Sequence, residues 1–329
     1  MRAAVLRKPL DLVVEERPAP HPGPGEVLVR VTAVGVCGSD THYFDHGRIG
    51  HFVVEAPMVL GHEAAGVIEA VGEGVTDRHV GQRVSVEPGV PDLTCPQCLA
   101  GRYNLCHRMR FFATPPIDGA FAELVTVHAA FAHPVPDQVS DDAAALLEPL
   151  SVAVWACEKA RVRPGDRVLV TGAGPIGLLA LQTARAFGAD DVTVLDINPD
   201  RLAVAEAFGA TRTALGGPAP TVLLECSGAA PAVMSGLRAL DRAGRAVLIG
   251  MGGDEVAVPV AALQEREITL TGVFRYANSW PTAIELAASG RVDLDALVTE
   301  HYALEDTRKA LTAARDVPGS IKVIVQPGR

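Results

Sequence analysis

Four residues of this chain carry the donor atoms that a borderline-soft divalent ion takes. They are Cys37, the His62 and Glu63 of Gly61-His62-Glu63, and Glu148 within Leu146-Leu147-Glu148-Pro149-Leu150. One thiolate, one imidazole and carboxylates around a position left open for substrate make a site suited to zinc. Spacing alone does not bring them together, because Glu148 lies far along the chain from Cys37. Cys157 and Cys226 read as small buried hydrophobes, and His21, His79 and His301 as surface or satisfied core histidines.

A second chemistry stands further on. Gly172-Ala173-Gly174-Pro175-Ile176-Gly177 fits G-x-G-x-x-G, follows the apolar run 168–171 and opens a helical stretch. Glycines there let the backbone approach a pyrophosphate, which sits at the positive end of the helix. Pro175 can start that helix without losing a needed N–H, and Gly188 stops it. Asp196 ends the next strand, about 20 residues beyond the glycines. A carboxylate at that place accepts hydrogen bonds from the adenosine ribose and repels a 2′-phosphate, so NAD is expected over NADP. Arg201 softens that preference.

The elements that must position these groups fall into two kinds. Residues 1–148 read as short strands broken by Gly and Pro, among them 26–31, 66–71 and 82–86, which predicts a compact β-barrel. From an apolar helical stretch at 149–160 onward, strand, glycine loop, helix and strand alternate to about residue 274, the pattern of a parallel α/β sheet. A helix at 282–289, a strand near Leu297, a helix at 305–315 and a strand at 321–325 complete the chain.

Bulk properties narrow the partners. At 329 residues two cores are expected. Lys plus Arg total 29 against 39 Asp plus Glu, a formal charge of −10. That balance argues against nucleic acid and anionic membranes, which need a basic face. The N-terminus has no apolar core of signal length, no apolar run reaches membrane-spanning length, and the six cysteines suit a reducing interior. A cytoplasmic protein is expected.

Gly35-Val36-Cys37-Gly38-Ser39-Asp40, Gly61-His62-Glu63-Ala64-Ala65-Gly66 and Glu148-Pro149-Leu150-Ser151 resemble successive landmarks of the zinc-dependent medium-chain dehydrogenases. Within them the resemblance is strongest to the sorbitol (polyol) dehydrogenases, and it runs from Ala3-Ala4-Val5 to Ile321-Lys322-Val323. It implies a discontinuous GroES-like catalytic domain, 1–148 with 275–329, around a Rossmann NAD-binding domain, 149–274. It also implies reversible, NAD-dependent oxidation of a secondary hydroxyl of a sugar alcohol to a ketose. Cys37, His62 and Glu63 would hold a catalytic zinc acting as a Lewis acid, with Glu148 beside it or exchanging onto it. Ser39 and His42 would relay the proton outward.

The resemblance supplies further roles. Tyr43, Ile49, Phe112 (with Phe111 as the alternative), Thr114, Arg275 and Tyr276 would wall the substrate, their phenol and guanidinium groups suiting a polyol. Gly250 and Phe274 join the glycine loop, Asp196 and Arg201 in the cofactor set. Asp92-x2-Cys95-x2-Cys98-x7-Cys106 matches the structural-zinc lobe, with Asp92 where a first cysteine is usual. Three thiolates and a carboxylate still close a tetrahedral site.

Relatives carry an edge strand and a helix between the equivalents of Ala210 and Val222, where this chain has only 211–221. A crossover needs roughly 10–12 residues for itself, so one of the two is expected to be missing or vestigial. A homo-oligomer, tetramer or dimer, is implied. A threonine or vicinal-diol dehydrogenase is the alternative activity. A non-catalytic zinc-binding relative is disfavoured, since such a protein would have lost Cys37, His62 or Glu63.

Overall fold

The computed structural model describes residues 1–328. Two compact units divide the chain: Met1–Glu148 with the segment from Leu294 onward, and Pro149–Asp293.

The first unit is built on the strand Glu26–Gly35, whose alternating Val27, Val29, Val31 and Ala33 turn inward. It lies between Glu63–Val71 on one side and both Leu124–His128 and Lys322–Gln326 on the other. Arg83–Val86, Ala132–Pro134 and Val298–Ala303 extend that sheet, and a smaller one pairs Arg2–Lys8 with Asp11–Glu16 and Met58–Val59. One core joins Leu6, Phe44, Leu60 and Phe121 to Leu304, Leu311 and Val325. Fully burying each such side chain contributes about 1.5–3 kcal/mol, so the returning C-terminal segment belongs to this core. The second compact unit runs to Asp293 and includes the helix Trp280–Ala288. Trp280, Ala283 and Leu286 of that helix are buried.

The helix expected at 149–160 starts earlier, at Asp141, and runs to Ala160. Ser140 caps it, its hydroxyl accepting from the Ala143 N–H at 2.9 Å, and Pro149 stands in its interior. Proline cannot donate to the carbonyl four residues before it.

The second unit is a five-stranded parallel sheet in the order Asp191–Leu195, Arg167–Thr171, Val222–Glu225, Arg245–Leu248, Thr269–Gly272. Its central strands are apolar on both faces, as sheets covered twice require. The shortened segment has the expected consequence. Between the helix Pro199–Ala207 and Val222 there is only an isolated bridge, Thr193 to Arg212, with no helix. Arg212 pairs with Asp191 across this stub, and Asp191–Leu195 becomes the sheet edge. No helix among the described residues is long and apolar enough to cross a membrane.

Candidate active site

Cys37 stands at the start of the helix Gly38–His46, and His62 and Glu63 at the start of the strand Glu63–Val71. Asp40, fully buried, ties the two together. Its Oδ2 accepts from the Cys37 N–H at 3.0 Å and its Oδ1 from the Gly61 N–H at 2.9 Å. One ligand atom from each of Cys37, His62 and Glu63 then lies within 4.8 Å of the others. Asp40 Oδ1 is 3.7 Å from His62 Nδ1, too long for a hydrogen bond but close for charge. Burial pulls the His62 pKa down, yet the Asp40 carboxylate and the Cys37 thiolate outweigh it and raise it well above 6.5. A metal must displace that proton to bind.

Glu63 meets a buried lysine that sequence reasoning passed over. Lys322 donates to Glu63 Oε1 at 2.7 Å and to the Val36 carbonyl at 2.9 Å. Its Nζ is also 2.6 Å from Oε2, so the ammonium bridges both oxygens of the buried carboxylate. The carboxylate fills the space where Gly35 lacks a side chain: a Cβ there would stand 2.0 Å from Oε2. Burial lowers the Lys322 pKa, but Glu63 and Cys37 more than reverse that, so the ammonium persists. A thiol, an imidazole and a carboxylate whose ligand atoms lie within 4.8 Å of one another fit a zinc ion held by Cys37, His62 and Glu63. Glu148, though buried, lies outside this group of three, because it is carried on the helix Asp141–Ala160 and not on the His62–Glu63 loop.

The remaining expected residues divide. Ser39 and His42 lie one turn apart on the helix after Cys37, the first half-buried and the second exposed. Tyr43 is buried in the first unit's core, and Ile49 packs partly buried against it. Phe111, not Phe112, faces the metal ligands, its ring 5.8 Å from that of His62. Phe112, in the turn that follows the strand Arg110–Phe111, lines a different cavity of about 370 Å³ with Met1, Arg17 and Arg110. Thr114 follows in the turn, its N–H bonded to the Phe111 carbonyl. In the second unit Arg275 takes φ +55°, its guanidinium 4.8 Å over the half-exposed Phe274 ring, and Tyr276 packs edge-on against Trp280.

Of the expected cofactor residues, Gly172, Gly174, Asp196 and Arg201 line a cavity of about 670 Å³, and Pro175, Ile176, Gly177, Gly250 and Phe274 are not among its lining residues. Gly172 has φ +88°, Gly174 precedes the helix Pro175–Ala186, and any Cβ on Gly177 would lie 1.8 Å from the Gly172 carbonyl oxygen. Ile176 occupies the first turn of that helix. Asp196 accepts from the Ala173 N–H at 2.6 Å and the Asn198 N–H at 2.8 Å, so the carboxylate also shapes the glycine loop. Arg201 lines the same cavity. Opposite, buried Glu225 accepts from the N–H groups of Ser227 and Gly228, both at 3.0 Å, and Gly250 packs without a side chain against Gly228. Glu225 was not legible beforehand, although a charged residue ending an apolar strand is a signal. Because Asp196 retains lone pairs for a ribose, Asp196→Ala should raise the KM for NAD and narrow the NAD-to-NADP preference by roughly tenfold. Initial rates with both cofactors check this, and an unchanged ratio would assign the selectivity to Arg201.

Asp92, Cys95, Cys98 and Cys106 also bring their ligand atoms within 4.8 Å of one another. Asp92 Oδ1 accepts from the N–H groups of Thr94 and Cys95, each at 2.8 Å, and Oδ2 pairs with Arg108. These bonds, that from Cys95 first, hold its carboxyl far below the usual range. We propose that this lobe holds a second, closed zinc site. Asp92→Ala should lower thermal stability while changing kcat by less than about threefold, because a closed site offers no position to substrate. A melting scan with zinc analysis tests this; a retained metal content would remove Asp92 from the ligand set.

Two family models match this chain: the alcohol dehydrogenase GroES-like domain over residues 23–137 and the zinc-binding dehydrogenase over residues 175–289. The sorbitol dehydrogenase of Bacillus subtilis (strain 168) is 41% identical, covering 100% of this chain and 98% of the relative. That of Homo sapiens is 44% identical, covering 94% and 90%. Among solved structures, L-idonate 5-dehydrogenase from Escherichia coli matches with a TM-score of 0.92 at 31% identity, covering 99% and 97%. The chain belongs to the zinc-dependent medium-chain dehydrogenases. Its cofactors are accordingly zinc and NAD.

Proposed function

We propose that this enzyme oxidises a secondary hydroxyl of a sugar alcohol to a ketone, reversibly, passing hydride to NAD⁺ and releasing one proton. Similarity to sorbitol dehydrogenases over nearly the whole chain carries the substrate class. Zinc, when bound, supplies a Lewis acid that acidifies the substrate hydroxyl. Cys37, His62 and Glu63 hold it, and Phe111 gives the pocket an apolar wall beside His62. Glu148 adds a nearby carboxylate that adjusts the ligand set. Ser39 takes the hydroxyl proton and His42, exposed one turn on, delivers it to solvent. Tyr43, Thr114, Arg275 and Tyr276 bind the other hydroxyls.

The enzyme works as a homo-oligomer, dimer or tetramer. The outer strand Thr269–Gly272 pairs on one side only, and Met251, Val260 and Phe274 expose 65%, 56% and 49% of their surface. Six free cysteines suit the cytoplasm. NAD reduction measured with sorbitol, xylitol, arabinitol, ribitol, 2,3-butanediol and threonine tests the substrate class. Activity confined to butanediol or threonine would replace it by the diol or amino-alcohol reading.

A further inference from the structure

Lys322 is the only lysine or arginine among the fully buried described residues, and it sits against the metal ligands. Its place follows from the sheet. Glu26–Gly35 is flanked by Glu63–Val71 and Lys322–Gln326, with Gly35 opposite Glu63 on one side and Ile324 on the other. Gly35 has no side chain, so the Glu63 carboxylate occupies that space and the lysine meets it there. The surroundings are otherwise acidic: Glu63, Cys37 and Glu148 all act on this one ammonium. Removing one partner of a buried pair ordinarily leaves an uncompensated charge. Here a divalent cation can take over that compensation.

We propose that Lys322 is a positioning residue that keeps Glu63 a weak, displaceable ligand, its ammonium, within 2.7 Å of both carboxylate oxygens, sharing that carboxylate with the metal. A carboxylate already bound to an ammonium gives less charge to a metal, so a coordination position opens more readily to the substrate. Without Lys322, Glu63 belongs to the metal alone and the site gains one net negative charge. The proposal rests on the assignment of Cys37, His62 and Glu63 as ligands.

The test compares Lys322→Met with Lys322→Arg by cobalt titration of apoprotein against a competing chelator, using Cys37→Ser to subtract the lobe at residues 92–106. Lys322→Met should bind Co²⁺ roughly tenfold more tightly, a like charge having been removed a few ångströms away, with a ligand-field spectrum that no longer changes on adding polyol. Its kcat should fall by about tenfold or more. Arginine forks across both oxygens of a carboxylate, so Lys322→Arg should bind Co²⁺ roughly tenfold more weakly. A purely structural role moves both variants downward. Weakened binding in Lys322→Met, or an affinity within twofold of wild type, overturns the proposal. If only one variant folds, its sign decides: arginine equal to or tighter than wild type also overturns it. A wild-type chain that binds no more Co²⁺ than Cys37→Ser would instead sink the ligand assignment itself.

Discussion

Cys37→Ala and His62→Ala are each expected to remove one equivalent of zinc and to lower kcat by at least about 10³-fold. A Lewis acid at the reacting oxygen is worth several kcal/mol, and each 1.36 kcal/mol is tenfold in rate. The two ligands sit in loops already fixed by Asp40, so their loss should leave the fold intact. Metal analysis alongside circular dichroism separates the two effects. Active wild-type protein without zinc, or either variant with full metal and near-normal turnover, would remove the metal from the mechanism. Glu148→Gln should behave differently, cutting the rate more than the metal content, because Glu148 lies outside the three-ligand group.

The second large effect concerns substrate selection. A pocket built to hydrogen-bond hydroxyls rejects analogues lacking them by up to about 10⁴–10⁵, since its polar groups are left unpaired. The kcat/KM should therefore fall steeply from a five- or six-carbon polyol to 2-propanol. Arg275 is the group proposed to bear most of this. Its backbone is left-handed and its guanidinium lies 4.8 Å over the Phe274 ring. Arg275→Ala should cost the polyol roughly 10²-fold in kcat/KM while leaving the simple alcohol within about threefold. Equal penalties on both substrates would show that Arg275 supports the fold and not recognition.

The local chemistry was legible in the sequence wherever one short segment carried it. The glycine loop, Asp196, the His62–Glu63 pair and the Cys95–Cys98 lobe are such segments, because a turn, a helix start or a two-residue spacing is decided by neighbours along the chain. The shortened stretch at 211–221 was equally readable, since a crossover has a minimum length whatever surrounds it. Tertiary structure alone decided which phenylalanine of Phe111-Phe112 faces His62, because the direction of an extended residue depends on the register of its strand. It also decided that the compact second unit takes in the helix Trp280–Ala288, whose Trp280 and Leu286 are buried. Lys322 is the sharpest case. A lysine in an otherwise apolar strand stands out in the sequence, but its partner lies 259 residues away. Only the pairing of two strands on either side of a bare glycine brings the ammonium and the carboxylate together, where low dielectric makes their charges matter.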